Sequence, residues 1–179
     1  ILIDRKTGKV AHEIGGFGLG EGKMAGPSGI YLTEENLYLT EIGNNRIQVF
    51  RLEPKPTFLL KFGQKGKKDG QFFNPSDILY RNNKIWVADS YNQRIQVFDE
   101  SGNFLFKFGS DFLEKPRKLM IYQNRFYILD ENKGLIEYNL QTKKHHIIRS
   151  LNQDIQKPIG ASFDRNGILY IGDFFNNKI

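Results

Sequence analysis

Acidic and basic side chains recur at one fixed separation along this chain. Asp89 and Arg94 flank "SYNQ", Glu41 and Arg46 flank "IGNN", and Asp173 and Lys178 flank "FFNN". The residue types change between copies while the sign of each partner is kept. Two chemistries suit such a pair. A carboxylate beside a cation can serve catalysis, but only if a second acid, base or metal ligand converges on it. Alternatively, the acid closes one strand and the base opens the next, and a tight hairpin then sets them across from each other. Repetition favours a clasp made in series over an active centre. Glu41–Arg46, Asp89–Arg94 and Asp173–Lys178 are therefore expected as structural ion pairs. Each is worth about 0.2–1 kcal/mol if exposed, and more where arginine forks onto a shielded carboxylate.

Other reactive residue types do not assemble. His145 and His146 are adjacent, so on a strand they point to opposite faces, and His12 lies far away in sequence. Cysteine is absent, which rules out disulfides and thiolate metal sites and is compatible with either an oxidising or a reducing compartment. "GGFGLGEG" (Gly15–Gly22) has the look of a phosphate loop but leads to a proline-headed strand and not a helix. Asn45, Asn92 and Asn177 sit where a turn needs a left-handed residue. No catalytic residue, metal site or cofactor is expected. No apolar run approaches the roughly 20 residues of a membrane helix, and no signal peptide is evident, so membrane insertion is not expected. The compartment and the oligomeric state are left open.

The elements that carry these residues repeat. Pro27, Pro75, Pro116 and Pro158 are spaced 48, 41 and 42 residues apart; Glu41, Asp89, Asp130 and Asp173 are spaced 48, 41 and 43. Two independent anchors thus share a period. Within it, "SDILY", "KIWVA", "RIQVF" and "NFLFKF" read as four short strands, rich in Ile, Val and aromatics and punctuated by Asn, Asp and Gly. "IWVA" is apolar on both faces, as in a sheet sandwiched between neighbours. In the fourth strand Phe104, Phe106 and Phe108 alternate with Leu105 and Lys107, so the three rings are expected on one face. Four antiparallel strands per period of about 42 residues match a β-propeller blade. The fold class is all-β, a propeller of about four blade-equivalents.

The stretch Gly70–Gly109, with its Phe-then-Pro start, "VADSYNQRIQVFD" centre and "GNFLFKFG" exit, resembles the NHL repeat. The copy at Gly26–Gly63 is nearly as full, that at Lys115–Ser150 lacks the arginine, and that at Lys157–Ile179 covers half a unit. The expected divisions are a half blade at 1–22, blades at 23–63, 64–109 and 110–150, and a half blade at 151–179. By resemblance such propellers usually close with six blades, of which this would be a part. A four-bladed ring with a split blade is the alternative, since "NNKI" followed by "ILID" reads like "NQRIQVFD".

Propellers bind at the face made by the second-to-third strand turns and the connections between blades. There the chain places Lys65, Lys67 and Lys68 in one connection and Arg117 and Lys118 beside a blade-opening proline, with Asn45, Tyr91, Asn92, Gln93 and Phe175 in the turns. These ten are the candidate ligand-binding residues. The formal charge of +6 admits a polyanionic partner, although 20 acidic residues are scattered among 26 basic ones. The expected function is a non-catalytic binding or scaffold module for a protein or other macromolecule. The alternatives are RNA binding, where aromatics stack bases and lysines meet phosphates, and a metal-dependent lyase or lactonase. The lyase or lactonase would need ligands at the channel mouth, where Ser28, Ser76, Arg117 and Ile159 supply none.

Overall fold

A computed structural model describes residues 1–4, 6–149 and 155–179. Its strands fall into sheets in chain order. β1 (Leu2–Ile3) pairs with β2 (Val10–His12). A four-stranded meander follows, of β3 (Pro27–Leu32), β4 (Asn36–Glu41), β5 (Arg46–Arg51) and β6 (Thr57–Phe62). The next holds β7 (Pro75–Arg81), β8 (Lys84–Asp89), β9 (Arg94–Phe98) and β10 (Phe104–Phe108), and the third holds β11 (Pro116–Tyr122), β12 (Arg125–Asp130), β13 (Gly134–Tyr138) and β14 (His145–Arg149). β15 (Pro158–Phe163) pairs with β16 (Leu169–Asp173) in a separate two-stranded sheet. The pairings between these strands are all antiparallel, and the first strands β3, β7, β11 and β15 pack successively against one another. Among the described residues β16 does not pair with β1, the contact a split-blade ring would use. The division expected at residues 150 and 151 lies outside the described residues.

The core is a series of apolar layers between sheets. Along β8, Ile85 and Val87 face the layer shared with the first meander, alongside Tyr38, Ile47 and Val49. Trp86 and Ala88 face the opposite layer, with Phe126, Ile128 and Tyr138 of the third meander. The period of two that makes both faces apolar thus divides one strand between two cores. The exit glycines have a steric reason. Gly63 and Gly109 hold φ of +90° and +100°, and a Cβ there would lie 2.3 Å from Phe72 or 2.4 Å from Leu113.

Irregularity is repeated as faithfully as regularity. Each first strand bulges just after its proline: Pro75 pairs with Asp89 but Asp77 with Ala88, and Pro116 with Asp130 but Lys118 with Leu129. Ser76, Arg117 and, in β15, Ile159 are the extra residues. The fourth strands bulge too, which corrects the expected alternation in β10. Phe104 pairs with Phe98 and Phe106 with Val97, so Leu105 is inserted and the face switches. Phe104 consequently packs beside Phe98, while Phe106 and Phe108 meet Trp86 on the other side.

Candidate binding face

At one end of the sheets, every second strand terminates in a buried acid that collects donors from two directions. Asp89 accepts the Phe73 backbone N–H at 2.7 Å from the arriving connection, Asn92 Nδ2 at 2.9 Å and Arg94 Nε at 2.8 Å from the turn, and Gln96 Nε2 at 3.0 Å. Glu41 is organised identically, by the Ala25 N–H at 2.8 Å, Asn44 Nδ2 at 2.7 Å, Arg46 Nε at 2.6 Å and Gln48 Nε2 at 2.8 Å. The arginines then reach outward: Arg94 Nη2 donates to the Lys68 and Gln71 carbonyls, each at 2.9 Å, as Arg46 Nη2 does to Gly20 and Lys23. Each acid–arginine pair therefore welds a hairpin to the connection entering its own sheet. Burial pushes the Asp89 carboxyl above the usual carboxylate range, and the Phe73 N–H, Asn92 and Arg94 pull against that.

The third and last sheets keep the acid and change the donors. Asp130 accepts four backbone N–H groups, from Glu114, Lys115, Asn132 and Lys133, at 2.8 to 3.0 Å. Asp173 accepts those of Gln156 and Lys157, each at 3.0 Å, plus Asn176 Nδ2 at 2.6 Å. The ion pair expected between Asp173 and Lys178 is not formed; the two residues meet through backbone bonds alone. Backbone and amide donors already occupy the carboxylate, and the exposed Lys178 side chain is left outside.

The candidate ligand-binding residues divide sharply once placed. Asn45 spans two sheets, its Oδ1 accepting the Asn74 N–H at 2.9 Å, and Asn92 is consumed by Asp89 and the Gly66 carbonyl. Arg117 is held by Glu131, and Lys118 Nζ donates to the buried Asp77 at 2.9 Å. These four are positioned as framework. Gln93 is an exposed left-handed turn residue (φ 58°). Lys65, Lys67 and Lys68 are exposed, with no carboxylate within ion-pairing distance among the described residues.

Tyr91 belongs to an array that includes Phe73, a residue the sequence reasoning passed over. The exposed rings of Phe73 and Tyr91 meet edge to face, 5.1 Å apart at 85°. Lys65 Nζ lies over Phe73 at 5.4 Å and Lys115 Nζ over Tyr91 at 5.7 Å, the latter also bonded to Glu131 at 2.6 Å. The last sheet has a counterpart, with Lys157 Nζ over Phe174 at 4.8 Å and over Phe175 at 4.9 Å. The clasp sets this array directly: Asp89 anchors the Phe73 N–H, and the Tyr91 N–H donates to the Phe73 carbonyl at 3.0 Å. Ordered rings and cations desolvated on one side bind partners with little loss of side-chain freedom. The glutamines Gln48 and Gln96 had a signal in the sequence, since each recurs at the centre of the same repeated "RIQVF" run, and the structure buries both completely.

Among the described residues no group of three or more His, Asp or Glu side chains is placed to hold a metal. Comparison with known proteins supports the fold. Residues 72–98 match the family model of the NHL repeat. No curated protein sequence matches the chain. Among solved structures, a propeller in a nidogen/laminin complex superposes with a TM-score of 0.64 at 19% identity, covering 82% of this chain and 56% of that one. Virginiamycin B lyase from Staphylococcus aureus gives 0.62 at 13% identity, covering 82% and 48%. A 6-phosphogluconolactonase-like protein, described as such from Bacteroides uniformis, gives 0.60 at 11% identity, covering 84% and 48%. The chain thus spans about half the length of these structures. The fold is that of a β-propeller, and one stretch, residues 72–98, matches the NHL repeat.

Proposed function

We infer that the protein is a non-catalytic binding or scaffold module whose turn-and-connection face docks a protein partner. One observation carries this reading: the exposed Phe73–Tyr91 pair, flanked by Lys65 and Lys115 and anchored through Asp89. Aromatic rings with cations at their faces form the amphipathic, low-entropy surface that protein interfaces favour. The nidogen/laminin likeness is consistent with a propeller that meets another protein.

RNA binding is the second reading, favoured by Lys65, Lys67 and Lys68 without acidic partners. Against it, ammonium groups lie over the rings of Phe73 and Tyr91, where bases would stack. Affinity capture from the source cells, comparing wild type with Tyr91→Ala and Lys65→Glu, separates the two. The protein reading expects a discrete partner that survives nuclease treatment and is lost from both variants at unchanged thermal stability. Capture abolished by nuclease, with affinity for single-stranded RNA falling steeply as salt rises, would replace it with the RNA reading.

A further inference from the structure

The side chains around the Phe73–Tyr91 pair form one continuous row. Lys65 Nζ lies 5.4 Å from the Phe73 ring, Phe73 lies 5.1 Å from Tyr91, and Lys115 Nζ lies 5.7 Å from Tyr91. Lys115 Nζ then donates to Glu131 at 2.6 Å, and Arg117 Nη2 reaches the same carboxylate at 2.5 Å. The row is aromatic in its middle and charged at both ends, and the two ends differ. Beyond Tyr91, Lys115 and Arg117 share the Glu131 carboxylate and are partly buried. Beyond Phe73, Lys65, Lys67 and Lys68 stand exposed in one connection, with no carboxylate within ion-pairing distance among the described residues. The acid of that connection, Asp69, is already taken by Lys107 at 2.5 Å and by Arg94 at 3.7 Å.

The hairpin that carries Tyr91 also fixes the lysine-bearing connection. Asn92 Nδ2 donates to the Gly66 carbonyl at 2.8 Å, and Arg94 Nη2 donates to the Lys68 and Gln71 carbonyls, each at 2.9 Å. The backbone is therefore pinned while the ammonium groups stay in water. Like charges held close together repel one another, and an acidic partner relieves that repulsion. Because the backbone and both rings are already ordered, such a partner meets a surface that loses little freedom on binding.

We propose that this row binds an extended acidic segment of a partner protein. Its carboxylates meet Lys65, Lys67 and Lys68, and an aromatic or aliphatic side chain beside them packs against Phe73 and Tyr91. The inference rests on the protein-docking reading and deepens it by naming the partner's chemistry. Nucleic acid fits the row less well, since a phosphate chain continuing past Tyr91 meets the Glu131 carboxylate. A segment acidic on one side of an apolar anchor matches the row along its length. It brings charge where the cations are unpaired and apolar surface where the rings are exposed.

Selection of a random peptide-display library on the whole chain tests the assignment, using wild type, Tyr91→Ala, and Lys67→Glu combined with Lys68→Glu. All three side chains are exposed, so the variants should keep the fold, which thermal unfolding checks. Wild type is expected to enrich peptides in which acidic residues adjoin an aromatic or aliphatic one. A synthetic copy should shift the amides of residues 64–73 and 90–93, and changing its acids to amides should weaken it by about tenfold or more. The double variant should lose these peptides and enrich basic ones, an inversion that a merely structural role for the loop would not produce. No enrichment, or acidic peptides indifferent to the double variant, would overturn the proposal. Neutral peptides lost on Tyr91→Ala would overturn only the acidic character and leave protein docking standing. Tighter binding of single-stranded oligouridine at the same residues would overturn both readings.

Discussion

The hairpin after β8 and the hairpin after β12 start alike and end differently. Both second strands finish in a fully buried aspartate that accepts backbone N–H groups from the preceding connection. At Asp89 the remaining donors are the side chains of Asn92, Arg94 and Gln96. At Asp130 they are the Asn132 and Lys133 backbone N–H groups of a turn one residue shorter, and the arginine position is absent. The difference teaches what the acid is for. It is an acceptor that joins a turn to a connection, and arginine is one of two ways of satisfying it. In the side-chain version Arg94 also holds two carbonyls of the connection, so the clasp extends further outward.

The sharpest way to break the comparison is Arg94→Ala. It leaves Asp89 charged and buried without its cation, and removal of one partner from a buried pair costs about 3–5 kcal/mol. Urea unfolding should show that loss, while partner binding, corrected for the folded fraction, is retained. A loss below about 1 kcal/mol would mean the pair behaves like a surface bridge. Asp130→Ala should cost less, about 1–3 kcal/mol, because the four N–H groups it strands are neutral and partly reached by water. If Asp130→Ala proved costlier than Arg94→Ala, the backbone version would be the stronger clasp.

The smallest effect concerns Asp77, which is buried between two first strands beside Lys118. Burial raises its carboxyl above the ordinary value, with Lys118 and the Leu119 N–H opposing. A raised folded value means the folded chain binds the proton more tightly. The contribution to stability is then complete below about pH 3.9, the unfolded value, and fades as pH rises through the folded one. The stability of wild type relative to Asp77→Asn should therefore grow as pH falls from neutral toward about 4. A gap that stays constant or shrinks over that range would show that Lys118 outweighs burial.

Much of this was legible in the chain because it is local. The acid and arginine stand five residues apart across one hairpin, and the prolines and acids mark the period twice over. Gln48 and Gln96 were legible in principle and were missed, because a polar residue in a repeated strand looks like its solvated face until the strand is seen to be buried. The bulge at Leu105 was not legible. Nothing in "NFLFKF" distinguishes an inserted residue from an alternating one, since only pairing with β9 shows that Phe104 and Phe106 fall on different faces.

The residues by themselves determined the period, the four-strand unit, the all-β class and the clasp at Glu41 and Asp89, since these follow from side-chain types a few positions apart. Tertiary structure decided which polar groups remain for a partner. Lys118 looked free until it met Asp77, 41 residues away, and Phe73, which no local pattern singled out, stands exposed against Tyr91. Availability for binding depends on what a side chain has already met, and those meetings lie between blades, beyond the reach of any local pattern.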